Sequence, residues 1–108
     1  HQQQPNMPLC GGTGEARQPS PEEVELLVAM RPHVESRLGR SVEQFEPRLV
    51  ATQVVAGTNY FAKVHIGSDS FVHIRVFKPL PHTNEPPALH GIQAEKSASD
   101  ELAFFSSE

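Results

Sequence analysis

Cysteine is almost absent from this chain of 108 residues, because Cys10 is the only one. No intramolecular disulfide can form, which argues against a disulfide-stapled secreted domain and favours a reducing compartment. Long apolar runs are also missing, and none approaches the ~20 residues that a membrane span requires. Residues 1–6 have neither the charged nor the apolar region of a secretory signal. We therefore expect a protein that is neither secreted nor bound to a membrane.

Positive charge and catalytic motifs are equally scarce. Nine Lys and Arg residues stand against thirteen Asp and Glu residues, and no basic cluster occurs, so nucleic acid is a poor candidate partner. There is no glycine-rich phosphate loop, no zinc-spaced cysteine pair and no His-Glu-x-x-His helix. The thiol of Cys10 lies in a segment that cannot hold a histidine in place. We predict no catalytic residues, no cofactor and no enzymatic activity.

The first twenty residues contain no aromatic and no β-branched apolar residue, but several prolines and glycines. Such a stretch cannot contribute to a core, so we predict a flexible arm over residues 1–14 and a single domain over residues 15–108. Met7 resembles a natural start, which would make residues 1–6 an addition to the natural sequence.

A helix is predicted after the arm. Ser20 is a suitable N-cap, and Glu23 completes a capping box with it. An apolar stripe with a period near 3.6 continues to Leu38, and Gly39 follows where a helix often ends. Pro32 removes a hydrogen bond inside this segment and should kink it. Because the stripe continues past Pro32, we predict one bent helix.

The apolar period changes to two after Val42, which is typical of strands. Four strands are predicted: Phe45 to Val55, Asn59 to Ile66, Phe71 to Phe77, and about Ala88 to Ala94. Four prolines between residues 78 and 87 mark a connecting loop. A helix packed on a twisted antiparallel sheet is an α+β fold of two layers.

The turn at residues 67–70 joins the second and third strands in a hairpin. If Ile66 faces Val72, and Val64 faces Ile74, all the apolar side chains lie on one face, whereas a slip of one residue would mix the two faces. We therefore predict the first register.

This register places His65 opposite His73 on the outer face of the sheet. Two histidines could chelate a soft divalent metal, but two ligands make a weak site, and a solvated outer face is the favoured interpretation. Phe61 and Phe77 share this face, and we expect the tail of the chain to cover them rather than leave a binding patch.

Residues 53–57 form an unusual loop, Gln-Val-Val-Ala-Gly. An ordinary hairpin with a positive φ at Gly57 would explain the glycine. However, Val54 and Val55 lead directly into a tip of two small residues, so apolar side chains would be exposed to water. Such a tip suits insertion into a cleft.

Residues 53–61, Gln-Val-Val-Ala-Gly-Thr-Asn-Tyr-Phe, resemble the inhibitory first loop and following strand of the stefins, the type 1 cystatins. Cys10-Gly11 resembles the start of the same family. Further matches follow in the order found in that family: Lys63-Val64-His65, Phe71-Val72-His73, Arg75-Val76-Phe77, Leu80-Pro81-His82 and Asp100-Glu101-Leu102. The resemblance covers about residues 7 to 105.

The resemblance implies a cystatin fold and a cytoplasmic, reversible, non-covalent inhibitor of papain-like cysteine proteases. It implies three elements that block the active-site cleft. These are a trunk of Leu9, Cys10 and Gly11, a first loop of Gln53, Val54, Val55, Ala56 and Gly57, and a second loop of Leu80, Pro81 and His82.

The partners that this resemblance implies are cathepsins such as L, S, H and B. The protein would be mainly monomeric, with disulfide-linked dimers through Cys10 or domain-swapped dimers as alternatives. A second hypothesis keeps the fold but not the inhibition: an interaction module or metal-binding module that uses His65 and His73.

Overall fold

A computed structural model describes residues 15–105. Within this range two helices, α1 and α2, precede four strands, β1 to β4, and a 3₁₀ turn at Pro81–Thr83 lies between β3 and β4. The bounds are Pro21–Val28 for α1, Arg31–Leu38 for α2, Glu46–Val55 for β1, Gly57–Gly67 for β2, Ser70–Lys78 for β3 and Ala88–Lys96 for β4. The strands form one antiparallel sheet in the order β1-β2-β3-β4, and the helices pack on it. The predicted α+β class is confirmed.

The prediction of one bent helix is wrong in its detail, because α1 ends before α2 begins. Pro32 has no N–H to donate to the carbonyl of Val28, so the helical ladder cannot continue through it. Instead, the N–H of Met30 bonds to the carbonyl of Leu27 at 2.9 Å, and Pro32 lies in the first turn of α2. The apolar stripe still crosses the break, since Leu27, Met30 and Val34 are all buried. Continuity of the stripe therefore did not imply continuity of the helix.

The start of α1 has the predicted capping box. The N–H of Glu23 donates to Ser20 Oγ at 3.2 Å, and Glu23 Oε1 accepts from the N–H of Ser20 at 2.9 Å. Arg17 adds two parallel bonds to the same carboxylate, each 2.7 Å long. These bonds hold the pKa of Glu23 at about 2, with the hydrogen bonds from Arg17 as the largest cause. Arg17 thus joins α1 through its side chain, which binds Glu23, and joins β1 through its backbone, which pairs with Val50.

The hairpin of β2 and β3 has a register two residues away from the predicted one. Val64 lies opposite Val72, rather than opposite Ile74, and His65 lies opposite Phe71. The apolar residues still share one face, because a shift of two residues preserves the alternation. The turn sets the register: Gly67 pairs with Ser70, leaving a tight two-residue turn and a bulge beside it. Alternation alone could not distinguish these two registers.

The inner face of the sheet and the helices form the main core. Its buried members are Leu27, Met30, Val34, Val42, Phe45, Val50, Ala62, Val64, Ile66, Val72, Ile74 and Val76. The outer face carries a second apolar cluster of Phe61, Leu102 and Phe105. The tail therefore covers Phe61 as predicted, whereas Phe77 is not part of this cluster. The Phe61 and Phe105 rings lie 5.8 Å apart in an edge-to-face arrangement.

Polar contacts hold the tail on this outer face. Lys63 Nζ donates to the carbonyl oxygens of Ala98, at 2.8 Å, and of Asp100, at 2.5 Å. Arg75 Nη1 donates to the carbonyl of Phe105 at 3.3 Å. The tail therefore covers the part of the outer face that carries Phe61, Lys63 and Arg75.

His73 lies on this outer face, with none of its surface exposed, and the predicted pair with His65 is wrong. His73 is opposite Lys63, and the His65 ring instead stacks on Phe71 at 4.6 Å. Neither ring nitrogen of His73 has a hydrogen-bond partner in the described part of the chain. Burial lowers the pKa of His73 to about 4, and the charge of Lys63 adds to this effect.

Within residues 15–105, each helix spans eight residues, and none is long and apolar enough to cross a membrane.

Candidate functional site

Two loops at one end of the sheet carry most of the predicted site. Thr58 at the start of β2 pairs with Lys78 at the end of β3, so the β1–β2 turn lies beside the β3–β4 loop. The structure thus brings the first and second predicted loops together. Each loop presents apolar side chains to solvent at this end.

The first loop is a very tight hairpin. Val55 pairs with Gly57, and Ala56 alone lies between them. Val54 is 79% exposed and Val55 is 47% exposed. A strand end with two exposed valines has apolar surface available for burial against a partner.

Gly57 is buried and adopts φ +126°, a conformation that side chains rarely permit. A Cβ atom at this position would lie 2.6 Å from the Lys78 carbonyl oxygen and 2.7 Å from Phe77 Cζ. The glycine is therefore required within the free protein, because the loop packs directly on the end of β3. Close approach to a partner's backbone is not needed to explain it.

A cross-strand hydrogen bond closes the base of the first loop. Gln53 lies opposite Asn59, and Asn59 Nδ2 donates to Gln53 Oε1 at 3.1 Å. Asn59 is buried, whereas Gln53 is half-buried. The bond fixes the two strands immediately below the exposed valines.

The second loop is held by its own backbone. Leu80 is 39% exposed, and Pro81 begins the 3₁₀ turn, with His82 also exposed. The Leu80 carbonyl accepts from the N–H of Thr83 at 3.1 Å and from its Oγ1 at 2.7 Å. Asn84 ends the turn in the left-handed conformation, with its N–H bonded to the Pro81 carbonyl. These bonds order the loop before any partner arrives.

The third predicted element, Leu9, Cys10 and Gly11, lies outside the described residues. The described chain enters the domain beside β1, where Arg17 and Val50 exchange two backbone hydrogen bonds of 2.9 and 2.8 Å. The pairing is antiparallel. The residues immediately before Arg17 are therefore on the side of Val50 that leads toward Val55.

Sequence reasoning missed three supporting residues: Asn59, Phe77 and Thr83. The predicted register placed Phe77 opposite Phe61, whereas the observed partner of Phe77 is Asn59. The ring consequently lies beneath the first loop. The tight turn at Gly67 and Ser70 was the signal that could have corrected the register. Thr83 could have been found as a polar residue two positions after a turn proline.

A groove of about 920 Å³ lies between the helices and the start of β4. It opens beside the second loop, with Lys78 and Pro86 in its wall. His33 and Ser36 lie along it, but no hydrogen bond joins them in the described structure.

Comparison with known proteins adds direct information on ancestry. A family model described as the cystatin domain matches residues 11–99. Leukocyte cysteine proteinase inhibitor 1 of Sus scrofa is 44% identical over 97 residues, which cover 90% of this chain and 94% of that protein. Cystatin-A8 of Sus scrofa is 45% identical with the same coverage. Cystatin-B of Homo sapiens is 38% identical over 97 residues, covering 90% of this chain and 99% of that protein.

Proposed function

The chain belongs to the cystatin family, with stefin-type relatives, and on that premise we propose that it inhibits cysteine proteases by blocking their active-site cleft. The observation that carries this proposal is the pair of exposed apolar loops at one end of the sheet. Val54 and Val55 project from one loop, and Leu80 from the other. A non-catalytic inhibitor agrees with a family whose named members are proteinase inhibitors.

The two loops suit a cleft because both are ordered in advance. The first is held by the Gln53–Asn59 hydrogen bond and by the contact of Gly57 with β3. The second is held by the bonds to the Leu80 carbonyl. A preformed surface loses little conformational freedom on binding, so more of the gain from apolar burial appears as affinity.

Leu9, Cys10 and Gly11 complete the proposed inhibitory surface as a trunk along the non-primed side of the cleft. Their support comes from the direction of the chain at Arg17. Gly11 is six residues before Arg17, and six extended residues span roughly 20 Å. Ala56, at the tip of the first loop, likewise lies six positions after Val50, so an extended arm can reach the level of this loop.

The proposed inhibition is reversible and steric. Gln53, Val54, Val55 and Ala56 of the first loop and Leu80, Pro81 and His82 of the second contain no group that reacts with a thiolate, beyond ordinary peptide bonds. Affinity would come from apolar burial and backbone hydrogen bonds. A papain-like enzyme whose catalytic cysteine is replaced by serine should therefore still bind.

The finer assignments rest on the same family relationship. We propose papain-like enzymes as the target class, among them cathepsins L, S, H and B. We also propose a cytoplasmic location, a mainly monomeric state, a flexible arm over residues 1–14 and one domain over residues 15–108. The rival metal-binding module is not favoured, because His65 and His73 are not opposite each other.

The test is a titration of papain with the parent protein and with Val54→Asp. Val54 is almost fully exposed, so the substitution should leave the fold intact while burying an unpaired charge in the complex. Inhibition should weaken by at least about 100-fold. Val28→Asp is the matched control, because Val28 is an exposed valine on α1 and belongs to neither loop.

Two results would contradict the proposal in different ways. A parent protein that does not inhibit papain would refute the function itself. Equal inhibition by the parent and Val54→Asp would instead remove the first loop from the interface. Calorimetry with the serine variant of the protease tests the non-covalent mechanism, since undetectable binding there would require a covalent step.

A further inference from the structure

We propose that Phe77 and His90 are positioning residues, which hold the first loop in its binding-ready shape from below. This inference rests on the proposed function, because it concerns the same inhibitory surface. Neither residue belongs to the three inhibitory elements described above. Phe77 contacts the loop backbone at Gly57, and His90 acts on the loop through its stack with Phe77.

The Phe77 ring is the floor of the first loop. An ideal Cβ on Gly57 would lie 2.7 Å from Phe77 Cζ and 2.9 Å from Cε1, so the ring is in direct contact with the backbone of the loop. Phe77 is near the end of β3, and the second loop begins three residues later, at Leu80. One aromatic ring therefore contacts the first loop and also stands at the base of the second.

His90 stacks on this ring. The two rings are stacked, with centroids 5.4 Å apart and planes inclined by 27°. His90 lies at an irregularity in the β3–β4 pairing, because Arg75 pairs with Gly91 while Val76 pairs with Leu89. Such a bulge redirects a side chain relative to a regular ladder. Here the bulge residue is the one that stacks on Phe77.

The stack has a direct consequence for binding. Phe77 is only half-buried, and the exposed His90 stacks on its ring, so the imidazole restricts the movement of that ring. Without it the phenyl ring gains freedom, and the backbone at Gly57 loses a fixed support. A loosened loop must be ordered on binding, and this ordering weakens the complex. Since aromatic pairs contribute modestly beyond their buried area, the loss should be about two- to tenfold in Kd.

The experiment compares four variants for binding to papain with its catalytic cysteine replaced by serine. His90→Ala removes the stack, and His90→Phe restores an aromatic ring. His33→Ala is the control, because His33 is an exposed histidine on α2. Phe77→Leu removes the floor itself. Association and dissociation rates are measured together with amide hydrogen exchange at Ala56 and Gly57.

We expect His90→Ala to bind two- to tenfold more weakly, to exchange faster at Gly57 and to keep the parent's Tm within a few degrees. His90→Phe should recover the parent's binding, His33→Ala should match the parent, and Phe77→Leu should lose more than His90→Ala. Parent-like binding by His90→Ala overturns the inference. Weaker binding with unchanged exchange at Gly57 also overturns it, since His90 would then contact the protease directly. If the parent itself does not bind, the proposed function fails instead.

Discussion

Acid should weaken this protein through one buried side chain, His73. In the folded state His73 has no exposed surface and no partner for either ring nitrogen within the described chain. Burial is the main reason that its pKa falls to about 4. The positive charges of Lys63 and Lys96 act in the same direction, and Asp100 opposes them. In the unfolded chain the pKa returns to its ordinary value near 6.5.

The direction of the pH effect on stability follows from the difference between the folded and unfolded pKa values of His73. Between pH 6.5 and pH 4 the unfolded chain binds a proton at this histidine, whereas the folded protein does not. The contribution of His73 to stability is therefore complete above pH 6.5, is lost progressively as the pH falls, and is gone below about pH 4. The difference between these two pKa values corresponds to about 3 kcal/mol in the free energy of unfolding, which is a large share of a typical domain's stability.

The assay is urea unfolding at pH values from 4.5 to 7.5, with His73→Leu for comparison. Leucine has a similar volume, leaves no unpaired nitrogen and cannot titrate, so at pH 7 the variant should be about as stable as the parent or more stable. As the pH falls, the parent should lose about 1.4 kcal/mol per pH unit relative to the variant. Parallel pH profiles for the two proteins would refute the reasoning, because His73 would then be protonated equally in both states.

Three other substitutions test separate parts of the structure. Gly57→Ala should lower the free energy of unfolding by about 1 to 3 kcal/mol and weaken protease binding at least tenfold, because the added Cβ would meet the Phe77 ring and the Lys78 carbonyl. Binding as strong as the parent's would contradict this tight contact. Glu23→Gln should lower the free energy of unfolding by about 1 to 2 kcal/mol at pH 7. Since the pKa of Glu23 lies near 2, this difference between parent and variant should disappear as the pH falls from 4.5 to 2. A difference that stays constant with pH would mean that the pairing with Arg17 contributes little. Phe105→Ala should cost about 3 to 5 kcal/mol by opening a cavity on the outer face, and a smaller loss in thermal unfolding would mean that the tail packs loosely.

Much of the architecture could be read from the sequence, because local signals and tertiary contacts agree there. The capping box at Ser20 and Glu23 needs only residues three positions apart, and the structure forms it. The strands were found because β-branched and aromatic residues alternate with polar ones over lengths typical of a sheet. The exposed valines of the first loop were predicted because no polar residue separates Val55 from the turn.

The errors share a physical cause, which is that periodicity does not determine every connection. The apolar stripe through Leu27 and Val34 is the same for one bent helix and for two short ones, and only the backbone at Pro32 decides between them. The alternation in β2 and β3 likewise fits any register that differs by two residues. In the observed register the two histidines are no longer opposite each other, and Phe77 lies under the first loop. The contact of Phe77 with this loop therefore could not be predicted from the alternation.

The covering of the outer face also governs when folding can be completed during synthesis. Phe61 lies in β2, but the residues that bury it, Leu102 and Phe105, are made about forty positions later. A nascent chain can therefore pair its strands and close the inner core while the outer face around Phe61 still faces water. Until residues 102–105 emerge, that apolar surface is available to chaperones or to other nascent chains. The interval between the synthesis of β2 and the synthesis of residues 102–105 is thus one in which this protein is exposed to misassembly.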